Sequence, residues 1–261
     1  MRAMNTASTG MMAQQTNVEV IANNIANLNT TAFKRQRAEF QDLLYQSERR
    51  VGATSSDTGT IIPVGVQIGI GVKTAAVYRI TTQGNLTQTS NPLDLAIQGR
   101  GFFQVLQPDG TTAYTRAGSF QLSPTGEIVT ADGFVVQPGI TVPQNTLAVT
   151  INPSGQVLAQ VAGQVAPQTV GQLDLANFAN EGGLTALGSS LFQETPASGS
   201  PVTGAPGSVG FGTLNQGLLE TSNVDVVSEI TNLITAQRAY EMNSKVIQTS
   251  DQMMSTLNQI Q

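Results

Sequence analysis

The side chains of this chain that could carry acid–base chemistry are few and scattered. Asp94, Asp109, Glu127 and Asp132 are the plausible carboxylates in the first half of its middle region. Two such groups at a fixed separation can act as acid and nucleophile, or as acid and base, on a glycosidic bond. Two of the four are explained otherwise: Asp109 and Asp132 each precede a glycine in a turn signal. Asp94 is expected on the polar face of a strand. Histidine and cysteine are both absent, which removes imidazole and thiolate ligands, the common triads and disulfides. The stretch "GRGFF" from Gly99 resembles a phosphate loop. It joins two extended stretches, however, and no helix follows to offer free N–H groups to an anion. A bulge or tight strand junction is expected there, with Phe102, Phe103, Phe120 and Phe134 as core. No catalytic residue, metal site or cofactor is predicted.

Composition points away from chemistry as well. Only 11% of the 261 residues are charged, and the net charge is −5; Gln, Asn, Thr and Ser fill the gap. Burying a neutral amide costs far less than burying an ion, so such a surface suits a protein packed among neighbours, although low-charge secreted β-proteins share it. A nucleic-acid partner would need a basic footprint. The basic clusters "KRQR", from Lys34, and "ERR", from Glu48, lie near acids such as Glu39 and Asp42 and read as solvated faces. The N-terminus lacks a basic-then-apolar signal region, and no apolar run reaches membrane-spanning length. Taken alone, that predicts a cytoplasmic protein without direct membrane insertion.

The elements that would position any site begin with two heptad-patterned ends. Met4, Met11, Val18 and Ile25 form a row at spacing seven, and Ala7, Gln14, Ile21 and Leu28 form a companion row. At the other end Val226, Leu233, Tyr240, Ile247 and Met254 repeat the device, with Ala239, Val246, Met253 and Ile260 beside them. Such stripes belong to helices that pack side by side, or to one amphipathic helix on its own domain. A capping box of Ser222 with Asp225 predicts a helix from about Asn223 to Gln259, helped by a Glu241–Lys245 pair at i,i+4.

Between the ends the period becomes two. Leu93, Leu95 and Ile97 fall on one face, as do Leu147, Val149 and Ile151. Turn signals follow at Pro108-Asp109-Gly110, Pro124-Thr125-Gly126, Asp132-Gly133 and Pro153-Ser154-Gly155. The predicted fold class is α+β, with long N- and C-terminal helices paired in a coiled-coil-like core and an inserted antiparallel β-rich outer domain. The predicted divisions are an N-terminal helix over 1–32 and a connecting region over 33–90, with an extended hairpin at about 46–66. A β domain over 91–196, a Gly/Ser/Pro-rich return over 197–222 and a C-terminal helix over 223–261 complete the chain.

The apolar area of two lone stripes does not offset the entropy of ordering both helices. They are therefore expected to be largely disordered in a free monomer and to fold when several chains bundle. Asn17 and Asn24 flank the seam, where amides bonded across helices favour one register. The alternative is that the asparagines only fray and cap the helix end near Asn29.

Four stretches carry a family resemblance: "VEVIANNIANLNTTAFKRQRAEFQDLLYQ", "QGNLTQTSNPLDLAIQGRGFFQV", "DGTTAYTRAGSFQLSPTGEIVTADGFVVQP" and "LETSNVDVVSEITNLITAQRAYEMNSKVIQTSDQMM". Through them the chain resembles the bacterial flagellar rod and hook family along nearly its whole length. The resemblance implies an axial structural protein whose terminal helices form the inner wall of a tube. It implies that the tube transmits torque from motor to hook and lets exported subunits pass. Export through the flagellar type III gate without a cleaved signal peptide would place it in the basal body, from periplasm to outer membrane, which resolves the localisation conflict. Its implied partners are many copies of itself, proximal rod proteins, the hook protein and the surrounding ring proteins. The extra segment after Tyr45 implies the distal-rod branch, where such a hairpin is thought to keep the tube straight. On this basis Met4, Met11, Val18, Ile21, Asn24, Ile25, Leu28, Val226, Leu233, Tyr240, Ile247 and Met254 are expected at inner-core contacts. Glu48, Arg49, Arg50 and Pro63 are expected at hairpin contacts. Hook or proximal-rod membership is the alternative within the family, and an extracellular glycan-binding adhesin is the alternative outside it.

Overall fold

The computed structural model describes residues 2–49, 64–164 and 166–260. The chain is α+β and divides into two compact units. The first holds α1 (Arg2–Ala26), most of four strands between residues 36 and 79, and α2 (Val226–Ile260). The second holds the β-rich middle, from Arg79 to Val224, with the short segment Asn27–Arg35.

In the first unit the strands form one long two-stranded ribbon. β1 (Gln36–Asp42) leads to β2 (Tyr45–Arg49), and β3 (Val66–Gly69) to β4 (Val72–Arg79); β1 pairs with β4 and β2 with β3. Tyr45 lies opposite Gly69 and Ser47 opposite Gln67. The two ladders are continuous, because Leu43 N–H donates to Gly71 O and Ile70 N–H to Leu44 O. The ribbon is thus longer than the hairpin predicted for 46–66, and it starts ten residues earlier. α1 ends at Ala26, so the heptad row stops short of Leu28. α2 starts at Val226, where Asp225 accepts from Val227 N–H and Ser228 Oγ. Ser222 instead accepts from Val224 N–H at 3.3 Å, so the capping residue is Asp225, three residues after the Ser222 expected to cap. Among the described residues Glu241 and Lys245 form no ion pair with each other.

The second unit contains the apolar core. β5 (Leu86–Gln88) pairs with Leu218–Glu220, and β6 (Leu95–Gln98) with Thr213–Gln216. β7 (Phe102–Leu106) and β8 (Thr112–Thr115) are the antiparallel hairpin within a nine-stranded sheet. Leu95, Ile97, Phe103, Phe120, Ile128, Leu175 and Leu214 are buried together. Phe103 and Phe120 meet edge-to-face at 5.0 Å, the arrangement that ring quadrupoles favour. Phe102 belongs to a second cluster with Tyr114 and Phe178, while Phe134 is only half-buried.

The turn chemistry behaves as its residues dictate. Gly110, Gly126, Gly133 and Gly155 each donate to the carbonyl three residues before, with φ between +83° and +87°. "GRGFF" is the tight junction between β6 and β7, with Gly99 and Gly101 at φ +110° and +136°, values that a Cβ would oppose. Two expectations about strand faces fail. Leu147 is exposed, because a register shift between Thr146 and Ala148 turns it away from the face of Ile151. Asp94 is buried rather than on a polar face, and it accepts from Asn91 Nδ2 at 2.9 Å.

Candidate functional site

The first unit leaves a ribbon face and helix rows of apolar side chains uncovered, and these are surfaces that a partner could cover. A Cβ on Gly10 would meet Asn243 Nδ2 at 2.8 Å, so the two helices approach closely there. Fourteen residues on, Asn24 Nδ2 donates to Glu229 Oε2 at 3.1 Å. Together these contacts make α1 and α2 antiparallel and set the register: Asn17 falls opposite Ala236, and Ala3 opposite Ser250. The row of α2 that faces inward is therefore Glu229, Ala236, Asn243 and Ser250. Glu229, Ala236 and Ser250 are buried, Asn243 half-buried. This seam is small and polar, and little hydrophobic free energy comes from it.

Asn24, 1% exposed, is the best-determined residue of the seam. Its Oδ1 accepts from Gln36 N–H at 2.8 Å, and its Nδ2 donates to Gln36 O at 2.9 Å as well as to Glu229. One amide thus satisfies the backbone at the start of β1 and ties it to both helices. Further along α1, Thr6 Oγ1 donates to Ile70 O, and Thr9 Oγ1 accepts from Val72 N–H. The Arg2 guanidinium reaches Glu48. The ribbon is pinned along one side of α1 from Asn24 to Arg2.

The apolar rows anticipated as inner contacts lie beside this seam. Ile21 is buried, and Met4, Met11, Val18 and Ile25 are half-buried. Leu28 falls in the turn after α1, within the other unit. On α2, Val226, Leu233 and Ile247 are half-buried, while Tyr240 and Met254 are exposed. Asn24 is central in the seam instead of flanking it. The row that sequence reasoning missed was available as a spacing of seven, but its members are polar or small, and an apolar filter passes over them.

The ribbon shows the same imbalance. Val66, Ile68 and Ile70 alternate onto one face, with Leu44 opposite Ile70; all four are exposed, Leu44 at 83%. A lone two-stranded ribbon is marginal in water, and this one has an uncovered apolar face. Glu48 and Arg49 belong to β2. Arg50 and Pro63 lie outside the described residues.

The β unit holds its charges differently. Glu220, 1% exposed, accepts from Lys34 Nζ at 2.6 Å, from Gly84 N–H at 2.9 Å and from Arg116 Nε at 2.7 Å. Arg116 also donates to Gly101 O, and Lys34 to Thr82 O. Burial alone would raise the Glu220 carboxyl, but Arg116 and Lys34 reverse this and hold it below the ordinary value. Four chain segments meet on one carboxylate. Lys34 is therefore no solvated residue of "KRQR". Its buried partner stands 186 positions away, a separation that no local pattern reveals. Asp109 accepts from Thr111 N–H and Oγ1, which lowers its carboxyl, and Glu127 accepts from Thr125 Oγ1. Among the described residues no cluster of acids is arranged to hold a metal, and no helix is long and apolar enough to cross a membrane.

Three family profiles match the chain. They describe a flagella basal body rod protein over residues 4–34, the D1 domain of flagellar hook protein FlgE/F/G over 96–159, and the C-terminal part of flagellar basal body rod FlgEFG protein over 215–260. Similar proteins include the flagellar basal-body rod protein FlgG of Caulobacter vibrioides, 62% identical over 100% of this chain and 99% of its own length. Those of Agrobacterium fabrum and Borreliella burgdorferi are 55% and 47% identical, over 99% and 100% of this chain and 98% of their own length in both cases.

Proposed function

The chain belongs to the flagellar basal-body rod protein family and is a structural component of that rod; from this premise we propose that it polymerises as a subunit of the distal segment. The product is a straight hollow shaft that transmits torque from motor to hook and lets exported subunits pass. The observation that carries this reading is the mismatch on the terminal helices. Their mutual seam is small and polar, while the apolar rows beside it are half-covered or bare. Those rows (Met4, Met11, Val18 and Ile25; Val226, Leu233, Tyr240, Ile247 and Met254) close against neighbouring copies in side-by-side, coiled-coil-like packing. The apolar face of the ribbon lies on a neighbouring subunit and holds the tube straight, with Glu48 and Arg49 of β2 among the contacts; Arg50 and Pro63, expected with them, lie outside the described residues. The shaft meets proximal rod proteins at one end and the hook protein at the other, with ring proteins around it. This role calls for neither catalysis nor a cofactor.

Electron microscopy of concentrated full-length protein tests the assembly, and straight hollow tubes are expected. Protein that stays monomeric at every concentration would sink it. Deleting residues 47–64 tests the ribbon separately, with curved or flexible tubes expected. Tubes that remain straight and stiff reject the straightening role.

A further inference from the structure

The two terminal helices carry complementary outer faces that a single chain cannot bring together. At about 100° per residue, Ser8, Met12, Glu19 and Ala22 fall on the side of α1 turned away from Gly10 and its α2 partner. All four are exposed, Met12 at 66%. Glu19 is the only acid of α1, and it accepts from Gln15 Nε2 on the same helix. On α2, Thr231, Thr235, Met242, Val246, Thr249 and Met253 form an exposed strip along one side of the seam. No charge lies between this strip and the seam. Glu241 and Asp251 are on the far side, while Arg238 and Lys245 stand at the back and border the strip.

The strip is prepared for burial. Thr231, Thr235 and Thr249 each donate their hydroxyl to a carbonyl one turn back in their own helix, at 2.8, 2.9 and 3.0 Å. With those donors satisfied, the threonines present methyl groups, and a dry neighbour leaves no orphaned proton. Arg238 makes no ion pair among the described residues.

We propose that Glu19 of one copy pairs with Arg238 of the next, as the outer face of α1 packs on the uncharged strip of the neighbour's α2. The occupant is a second copy because the charges are complementary: one acid on an otherwise neutral face of α1, and two cations, Arg238 and Lys245, bordering an uncharged strip of α2. Within one chain Glu19 points away from α2, so the pair forms only between copies. Two different faces meet, which makes the contact heterologous and open to indefinite repetition. In one chain Arg238 lies level with Gln15, so neighbouring copies shift along the helix axis by about four residues, ~6 Å. This inference rests on the assembly reading above.

Charge reversal in the full-length protein is the test, read as the concentration above which tubes form. Glu19→Arg and Arg238→Glu are each expected to raise that concentration about tenfold or more, and the double reversal to restore it to within a few-fold of the unaltered protein. Single variants that assemble normally, or a double variant no better than either single, overturn the pairing. If the unaltered protein forms no tubes, the assembly reading itself has failed and the pairing with it. A second measurement does not depend on charge. The same register sets Ala22 opposite Thr235 of the next copy, and the chain has no cysteine. Ala22→Cys with Thr235→Cys should therefore form disulfide ladders in tubes and none in monomer. Tubes without ladders, formed by a doubly substituted chain, contradict the register.

Discussion

The β unit and the helical unit use their apolar residues in opposite ways. In the β unit Phe103, Phe120, Leu95 and Leu214 are hidden from water, and even its charge cluster on Glu220 is closed. In the helical unit the closed seam is made of Glu229, Ala236, Asn243 and Ser250, while Met12, Met242 and Met253 stand in solvent. A core of the first kind holds up without help. A unit of the second kind has most of its hydrophobic free energy still to gain from outside. One chain therefore joins a self-sufficient part to a part built for company.

The broadest way to break that comparison is to unfold the dilute monomer while following both parts. Far-UV circular dichroism is expected to lose its helical signal at low denaturant, or to show little of it at the outset, while the β unit persists to a later transition. A single coincident transition contradicts the contrast. Glu220→Gln comes next. It leaves Lys34 and Arg116 buried without their counter-charge, and the β unit should lose ~3–5 kcal/mol in urea titrations. Acid sharpens the same point. The Glu220 carboxyl titrates below its ordinary 4.5 in the folded chain, so the unfolded chain binds the proton more readily. The stability gained from this shift is present above pH 4.5 and is lost as pH falls through the folded value; Glu220→Gln should flatten that part of the profile.

Asn24→Ala should cost about 1–3 kcal/mol in the helical unit, since it strands the N–H and C=O of Gln36. Faster hydrogen exchange at Gln36 N–H would report it. Tyr240→Ala, at an exposed site, should move monomer stability by no more than about 0.5 kcal/mol. It should nonetheless weaken tube formation, which sedimentation measures.

Much of the fold was legible in the residues. The spacing of seven marked both helices, period two marked the middle, and Gly110, Gly126, Gly133 and Gly155 marked turns that close as their chemistry requires. Less legible was how the helices face each other. The apolar rows at Met4 and Val226 stood out, yet the seam runs through Gly10, Asn24, Glu229 and Asn243, because close approach favours small residues and bonded amides. "KRQR" looked like a wet basic patch, and Lys34 lies buried because a carboxylate far along the chain reaches it.

The sequence by itself determined the local elements and the family, since helix, strand and turn preferences act over a few residues and the terminal signatures are contiguous. Only the tertiary structure decided which helix faces meet, which charges are buried and where the ribbon is pinned. Each of these depends on atoms brought together from distant positions, where packing and desolvation, rather than local propensity, set the outcome.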